Sequence, residues 1–324
     1  MQPYVLPPNR FSRFYAGGAR IDALRGDPPG PERTPEDWVG STATSLGSDT
    51  EGLAHLEDGR VLRDLIEADP EGFLGGEHVS RFGANPAVLV KLLDAGQRLP
   101  VHFHPGRPFA KQHLGLDFGK TECWLILDAE PGAQVHSGFQ QPADLDTVRG
   151  WVDRQDPEEM LAALRPIDVS KGDAILVPAG TLHAIGEGIL ILELQEPTDL
   201  SVLLEYAAFG VDDGSQHLHL GWDTALQAAD LGPSPYGAAD ALPEEADAYF
   251  RAQRVSAGDE LEPSFAVLLV TDGAGTLRTE HGDELPLRRG MTVCVPHGAR
   301  RTELDGDLQA VRCLPPDPTA EARW

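Results

Sequence analysis

Val101-His102-Phe103-His104-Pro105 is followed by Gly119-Lys120-Thr121-Glu122-Cys123-Trp124, and later by Gly172-Asp173-Ala174-Ile175-Leu176-Val177-Pro178-Ala179-Gly180-Thr181-Leu182-His183. These stretches decide the fold. Side chains alternate faces along a strand, so His102 and His104 share one face, as do Lys120, Glu122 and Trp124. In the third stretch Gly and Pro mark the corners, and His183 stands just past the turn. Three imidazoles and one carboxylate on short strands of one barrel make a ligand set for a divalent transition metal. A His-x-His pair alone is weak evidence, since such residues often only face solvent or hydrogen-bond. The four ligands taken together are far more specific.

Working outward, Leu145, Val148 and Val152 share a helical face, and Asp156-Pro157 opens a second helix. Residues 139–166 therefore read as a helical insert packed on the barrel, with Trp151, Met160 and Leu161 as core. Upstream, residues 1–50 read as loops and strand pieces. Val61, Leu62, Leu65 and Ile66 recur at helical spacing until Asp69-Pro70. Residues 87–93 read as a strand leading into the His-x-His strand. Downstream, residues 188–197 form an apolar strand with Ile189, Ile191, Glu193 and Gln195 on one face. A carboxylate there is costly unless its face lines a polar cavity or it finds a partner, which makes Glu193 a functional candidate. His217-Leu218-His219 lacks any following Glu or Gly-Pro-Gly-His turn and reads as structural, and residues 222–229 read as helical.

The joint pattern His-x-His, Glu, Gly-x5-Pro-x-Gly-x2-His resembles the two motifs of the cupin superfamily, small antiparallel barrels with a metal in the mouth. Gly290-Met291-Thr292-Val293-Cys294-Val295-Pro296-His297-Gly298-Ala299-Arg300-Arg301 repeats the spacing with Arg301 in the place of His183. The expected fold is mainly β: two cupin (double-stranded β-helix, or jelly-roll) barrels with a small helical insert, the second barrel metal-free. The expected division is a catalytic barrel over 1–207, a helical connection over 208–254 and a degenerate barrel over 255–324.

A chain of 324 residues suits two packed modules. With 26 basic and 52 acidic residues the formal net charge is −26. That balance argues against nucleic-acid or anionic-membrane partners, and an anionic substrate would need a local cationic patch. Three cysteines, Cys123, Cys294 and Cys313, give no disulfide framework, and residues 1–14 lack the apolar run of a signal peptide. No stretch approaches a membrane span, so the expected location is the cytoplasm.

The chain also resembles class I mannose-6-phosphate isomerase, a zinc-dependent cupin family, in its short bacterial form. The likeness runs through Phe14 to Gly18, Glu36 to Trp38, Val90 to Asp94, His102 to Pro105, Gly119 to Trp124, Pro178 to Ala184, and Glu193 through Asp199. It implies that His102, His104, Glu122 and His183 hold the metal, with His102 where the family usually has Gln. It places Lys120, Glu193 and Asp199 in the cavity. Two departures stand out: no Arg follows Asp199, where the family has one, and Gly106 replaces an acidic residue. If another Arg meets a phosphate, Arg81, Arg98 and Arg107 are the candidates by sequence nearness, with Arg107 first.

The implied reaction is aldose–ketose isomerisation of a sugar phosphate, mannose 6-phosphate to fructose 6-phosphate, through an enediol. In that chemistry Glu193 is the base, Lys120 the oxyanion partner and Zn²⁺ the ion, with Mn, Fe, Co or Ni also compatible. The alternatives are an isomerase of a non-phosphorylated or differently substituted sugar, a cupin dioxygenase, and a non-catalytic sugar-binding cupin.

Overall fold

Leu89–Ala95 and Ile189–Gln195 are buried at every residue and pair with each other at the middle of a five-stranded antiparallel sheet. Continuous apolar runs are what strands covered on both faces require. The sheet runs in the order 36–39, 89–95, 189–195, 122–129, 174–177. Its register sets Glu193 opposite both Lys91 and Trp124, and Gln195 opposite Glu122. This is the computed structural model of the chain, which describes residues 1–323.

A second five-stranded sheet, in the order 202–203, 102–103, 183–185, 134–139, 164–168, faces the first. Period two assigns each strand's side chains to different cores. Leu93, Trp124, Ile126, Ile175, Ile189 and Ile191 point between the two sheets with Val135 and Ile185. Leu92, Leu125, Leu176, Leu190, Leu192 and Leu194 point the other way and pack on Phe265, Val267, Leu269 and Val311 of the C-terminal part. The outer face of the second sheet is covered by the helices Leu145–Arg154 and Pro157–Ala163 through Val148, Trp151, Val152 and Met160. Asp156 caps the second helix as the sequence suggests, accepting from the Glu159 N–H (3.1 Å) with Pro157 in the first turn, and Asp144 caps the first by accepting from the Thr147 N–H (2.7 Å).

The C-terminal part is a seven-stranded antiparallel sheet whose long strands Ala266–Thr279 and Thr302–Leu314 wrap a wholly apolar interior including Leu268, Val270, Val293, Leu304 and Leu308. Its edge strand Thr292–Val295 takes Tyr4–Val5 as a partner, so the first residues of the chain complete the last sheet. The buried Arg25 reinforces this junction, reaching Asp37 on one side (Nε–Oδ2 2.7 Å) and Thr292 on the other.

Several local expectations change. Ala19–Arg25 is a helix where loops and strand pieces were expected, and Pro70–Leu74, Gly76–Phe82 and Arg107–Leu114 are helices in stretches to which the sequence reading assigned no element. Each has five to eight residues, too few turns for a 3.6-residue period to stand out. The strand at 89–95 lies in the sheet opposite His102 rather than beside it. Residues 208–254 hold one four-residue α-helix, Trp222–Ala225, and short 3₁₀ turns, so the segment is mostly irregular rather than a helical connection. No helix among the described residues is long and apolar enough to cross a membrane.

Candidate metal centre and cavity

His102 and His183 are direct cross-strand partners, and His104, two residues on from His102, returns to the same face. Each ring spends its Nδ1 on a backbone carbonyl: His102 on Pro100 (2.8 Å), His104 on Leu200 (2.7 Å) and His183 on Thr181 (2.8 Å). A neutral imidazole that donates through Nδ1 keeps its lone pair on Nε2. The three Nε2 atoms converge within 4.8 Å of one another. Burial, with Lys120 nearby, lowers His104 to about 3, burial lowers His183 to about 3, and burial, with His183 beside it, lowers His102 well below the usual range. All three are thus neutral at ordinary pH, as metal ligation demands.

That protonation state leaves lone pairs facing one another. His183 Nε2 lies 3.0 Å from His102 Nε2, and His104 Nε2 lies 3.1 Å from Glu122 Oε2 with no proton available between them. Glu122 Oε1 is 3.3 Å from His183 Nε2. With neutral rings these approaches are neither ion pairs nor hydrogen bonds, and His104 Nε2 has no donor. A cation coordinated by the four side chains resolves the conflict, so the residues fit a divalent metal held by three imidazoles and one carboxylate. Glu122 is itself oriented by the Trp124 indole N–H (3.0 Å) and the Lys120 ammonium (3.4 Å).

The centre opens into a cavity of about 360 Å³ whose wall includes Arg13, Glu36, Lys91, Lys120, Glu193 and Asp199. Lys91 Nζ stands between Glu36 (3.5 Å) and Glu193 (3.6 Å). Glu36 is pinned by Tyr15 OH (2.7 Å), Trp38 Nε1 (2.7 Å) and Arg13 Nε (3.1 Å). The Arg13 guanidinium reaches across to Asp199 with two nitrogens (3.3 and 3.2 Å). Glu193 is different, for its Oε1 is buried without a hydrogen-bond partner. Burial, then Glu122, pushes its carboxyl up to about 7 against the pull of Lys91 and Lys120. Burial opposes the Lys91 charge, but Glu36, Glu193 and Asp199 outweigh it and hold Lys91 above its ordinary range.

The structure brings His102, His104, Glu122, His183, Lys120, Glu193 and Asp199 together around one space. Arg107 is elsewhere. It is bound to the buried Glu196 (2.5 Å), lies over Tyr249 (4.9 Å) and is outside the cavity wall, because the helix it opens carries it toward the C-terminal part. Its expected place beside the sugar is therefore corrected. Arg98 is paired with Glu205 (2.6 Å), and Arg81 with the Pro318 carbonyl. His217 and His219 lie outside the histidine cluster, with Leu218 and His219 in left-handed turn conformations. Sequence reasoning missed Arg13 and assigned no role to Glu36 or Lys91. Lys91 carried a usable signal, a charge among the apolar residues Leu89, Val90, Leu92 and Leu93, the same kind of signal that singled out Glu193.

No family model matches the chain. It is 27% identical to a mannose-6-phosphate isomerase of Streptococcus mutans over 326 residues, covering 96% of this chain and 97% of that protein. It is 29% identical to a mannose-6-phosphate isomerase of Bacillus subtilis over 239 residues, 69% of this chain and 73% of that one. Among solved structures, a mannose 6-phosphate isomerase from Bacillus subtilis superposes with a TM-score of 0.77 at 24% identity, covering 97% of this chain and 99% of that one. A mannose 6-phosphate isomerase bound with zinc and yttrium does so with a TM-score of 0.71 at 15% identity, covering 98% and 100%. The shared fold, mainly antiparallel β, thus runs the length of both chains. By sequence along nearly its whole length and by fold, this chain is a relative of the mannose-6-phosphate isomerases.

Proposed function

We propose that the protein is a metal-dependent aldose–ketose isomerase that interconverts mannose 6-phosphate and fructose 6-phosphate through an enediol, acting in the cytoplasm on a small-molecule sugar substrate, without nucleic-acid or membrane partners. The observation that carries the reading is the placement of a buried carboxylate, Glu193, whose Oε1 has no hydrogen-bond partner, and an ammonium, Lys120, beside a converging set of three imidazoles and Glu122. His102, His104, Glu122 and His183 would hold the ion. Zinc is the expected choice, because the reaction needs no redox change and a relative's structure is bound with zinc, although the same ligands suit Mn, Fe, Co or Ni.

When bound, the ion supplies Lewis acidity toward the sugar oxygens at C1 and C2. Glu193 takes the C2 proton and returns it to C1, a role suited to a carboxylate whose Oε1 accepts no hydrogen bond and has Lys91 only at 3.6 Å. Lys120 donates to the oxygen on which negative charge grows. Glu36 holds Lys91 beside Glu193 so that the carboxyl keeps a proton affinity suited to both uptake and return. The test is turnover of mannose 6-phosphate to fructose 6-phosphate by zinc-loaded and by chelator-treated protein. Failure of the zinc-loaded protein to convert it rejects the reading.

A further inference from the structure

The cavity wall carries three cations, Arg13, Lys91 and Lys120, and each is already committed. Lys120 lies on Glu122, Lys91 lies between Glu36 and Glu193, and Arg13 spends Nε on Glu36 and both terminal nitrogens on Asp199. Against them stand five carboxylates, Glu36, Glu122, Glu193, Asp199 and Asp213. Every cation of the wall thus already faces a carboxylate, and none is left unpaired for a further dianion.

The segment after Asp199 brings no guanidinium to the wall. Leu203, four residues after Asp199, lines the cavity, and the chain delivers Arg13 to Asp199 from its N-terminal segment instead. A phosphate entering beside Arg13 would have to displace Asp199, which also accepts from the Leu46 N–H (3.2 Å), and would meet Glu36 as well. The remaining wall offers hydroxyls at Ser12, Ser201 and Ser215 and apolar surface at Leu93, Leu99 and Leu203. Carboxylates paired with cations and short hydroxyl side chains are the partners that sugar hydroxyls use.

We infer that the cavity recognises the uncharged polyhydroxy part of an aldose, and that a phosphate on C6, where the substrate has one, stays outside and adds little to binding. The inference rests on the isomerase reading and narrows it, because mannose itself becomes a substrate of nearly equal rank. In an ordinary phosphate site, charge-assisted hydrogen bonds from an arginine fork separate phosphorylated from plain sugars by orders of magnitude.

The experiment compares kcat/KM for mannose and mannose 6-phosphate with the metal-loaded protein, and the affinities of fructose and fructose 6-phosphate by calorimetry. Ratios within about tenfold in both are expected. A phosphate preference above about tenfold in affinity overturns the inference. Calorimetry decides it even if neither aldose is turned over, an outcome that removes the isomerase reading instead. Asp199→Asn supplies an independent check, since it frees one face of Arg13. The variant is expected to shift relative affinity toward fructose 6-phosphate by several-fold, and an unchanged ratio would show that the committed guanidinium is not what excludes phosphate.

Discussion

The turn Gly172 to His183 and its echo Gly290 to Arg301 are built alike and end in opposite chemistry. In both, a glycine with positive φ (102° and 82°) precedes a fully buried four-residue strand, 174–177 and 292–295, and a proline closes it. After the first turn the chain enters Leu182 and the strand His183–Ile185, which pairs with the His-x-His strand and drops His183 into the interior at 0% exposure. After the second, a 3₁₀ turn over His297–Ala299 leaves Arg301 exposed, paired with Glu262 at the surface (2.9 Å). The interior behind it is apolar throughout. A backbone motif therefore does not make a metal site; a facing strand with two imidazoles and a neighbouring carboxylate does.

The strongest break in the comparison is to make the first half resemble the second. His183→Ala and His104→Ala should each lose the bound metal and all turnover while staying folded, because most of the core lies outside the site. Metal analysis alongside circular dichroism checks this, and stoichiometric metal in both variants would remove the ligand assignment. Glu193→Gln should keep the metal and lower turnover by roughly two to four orders of magnitude, the usual effect of losing a positioned base. Near-native rates would exclude Glu193.

The same residue sets a pH signature. Its carboxyl is raised to about 7, so the base is protonated at lower pH, and kcat/KM should fall as pH drops through about 7. In the metal-free protein the folded state binds more protons than the unfolded one between the ordinary value of 4.5 and about 7, so stability should decline as pH rises through that window. A Glu193→Gln protein with an equally steep decline would trace it to another group.

The two halves are also joined, and the join can be tested by itself. Asp37→Ala leaves the Arg25 guanidinium buried without its carboxylate at the contact with Thr292, and should cost about 3–5 kcal/mol in denaturant melts. A loss under about 1 kcal/mol would mean that water reaches Arg25. His102→Gln should retain metal, since an amide oxygen can replace the imidazole, and a metal-free variant would show dependence on the third ring. The smallest effect belongs to the echo: Arg301→His should bind no metal and change stability by no more than about 0.5 kcal/mol, for the position is exposed and only the surface carboxylates Glu260 and Glu262 face it. Metal uptake by that variant would contradict the account of why the second half is empty.

The sequence by itself determined the elements whose signals are local. Strand alternation put His102 with His104 and Glu122 with Trp124, glycine and proline fixed the turn before His183, and Asp156-Pro157 marked a helix start that the structure uses. A carboxylate on an apolar strand was enough to single out Glu193. Tertiary structure alone decided which distant charges meet. Arg13 and Asp199 are 186 residues apart, and in sequence each looks like a surface residue. Arg107 sits three residues past His104, yet the helix it begins turns it away to Glu196 and Tyr249. Period and turn chemistry act over a few residues, so they position side chains on an element, whereas the pairing of buried charges depends on how whole sheets pack. For that reason the candidate metal ligands were legible in the chain, and the pairing of the cavity's charges was not.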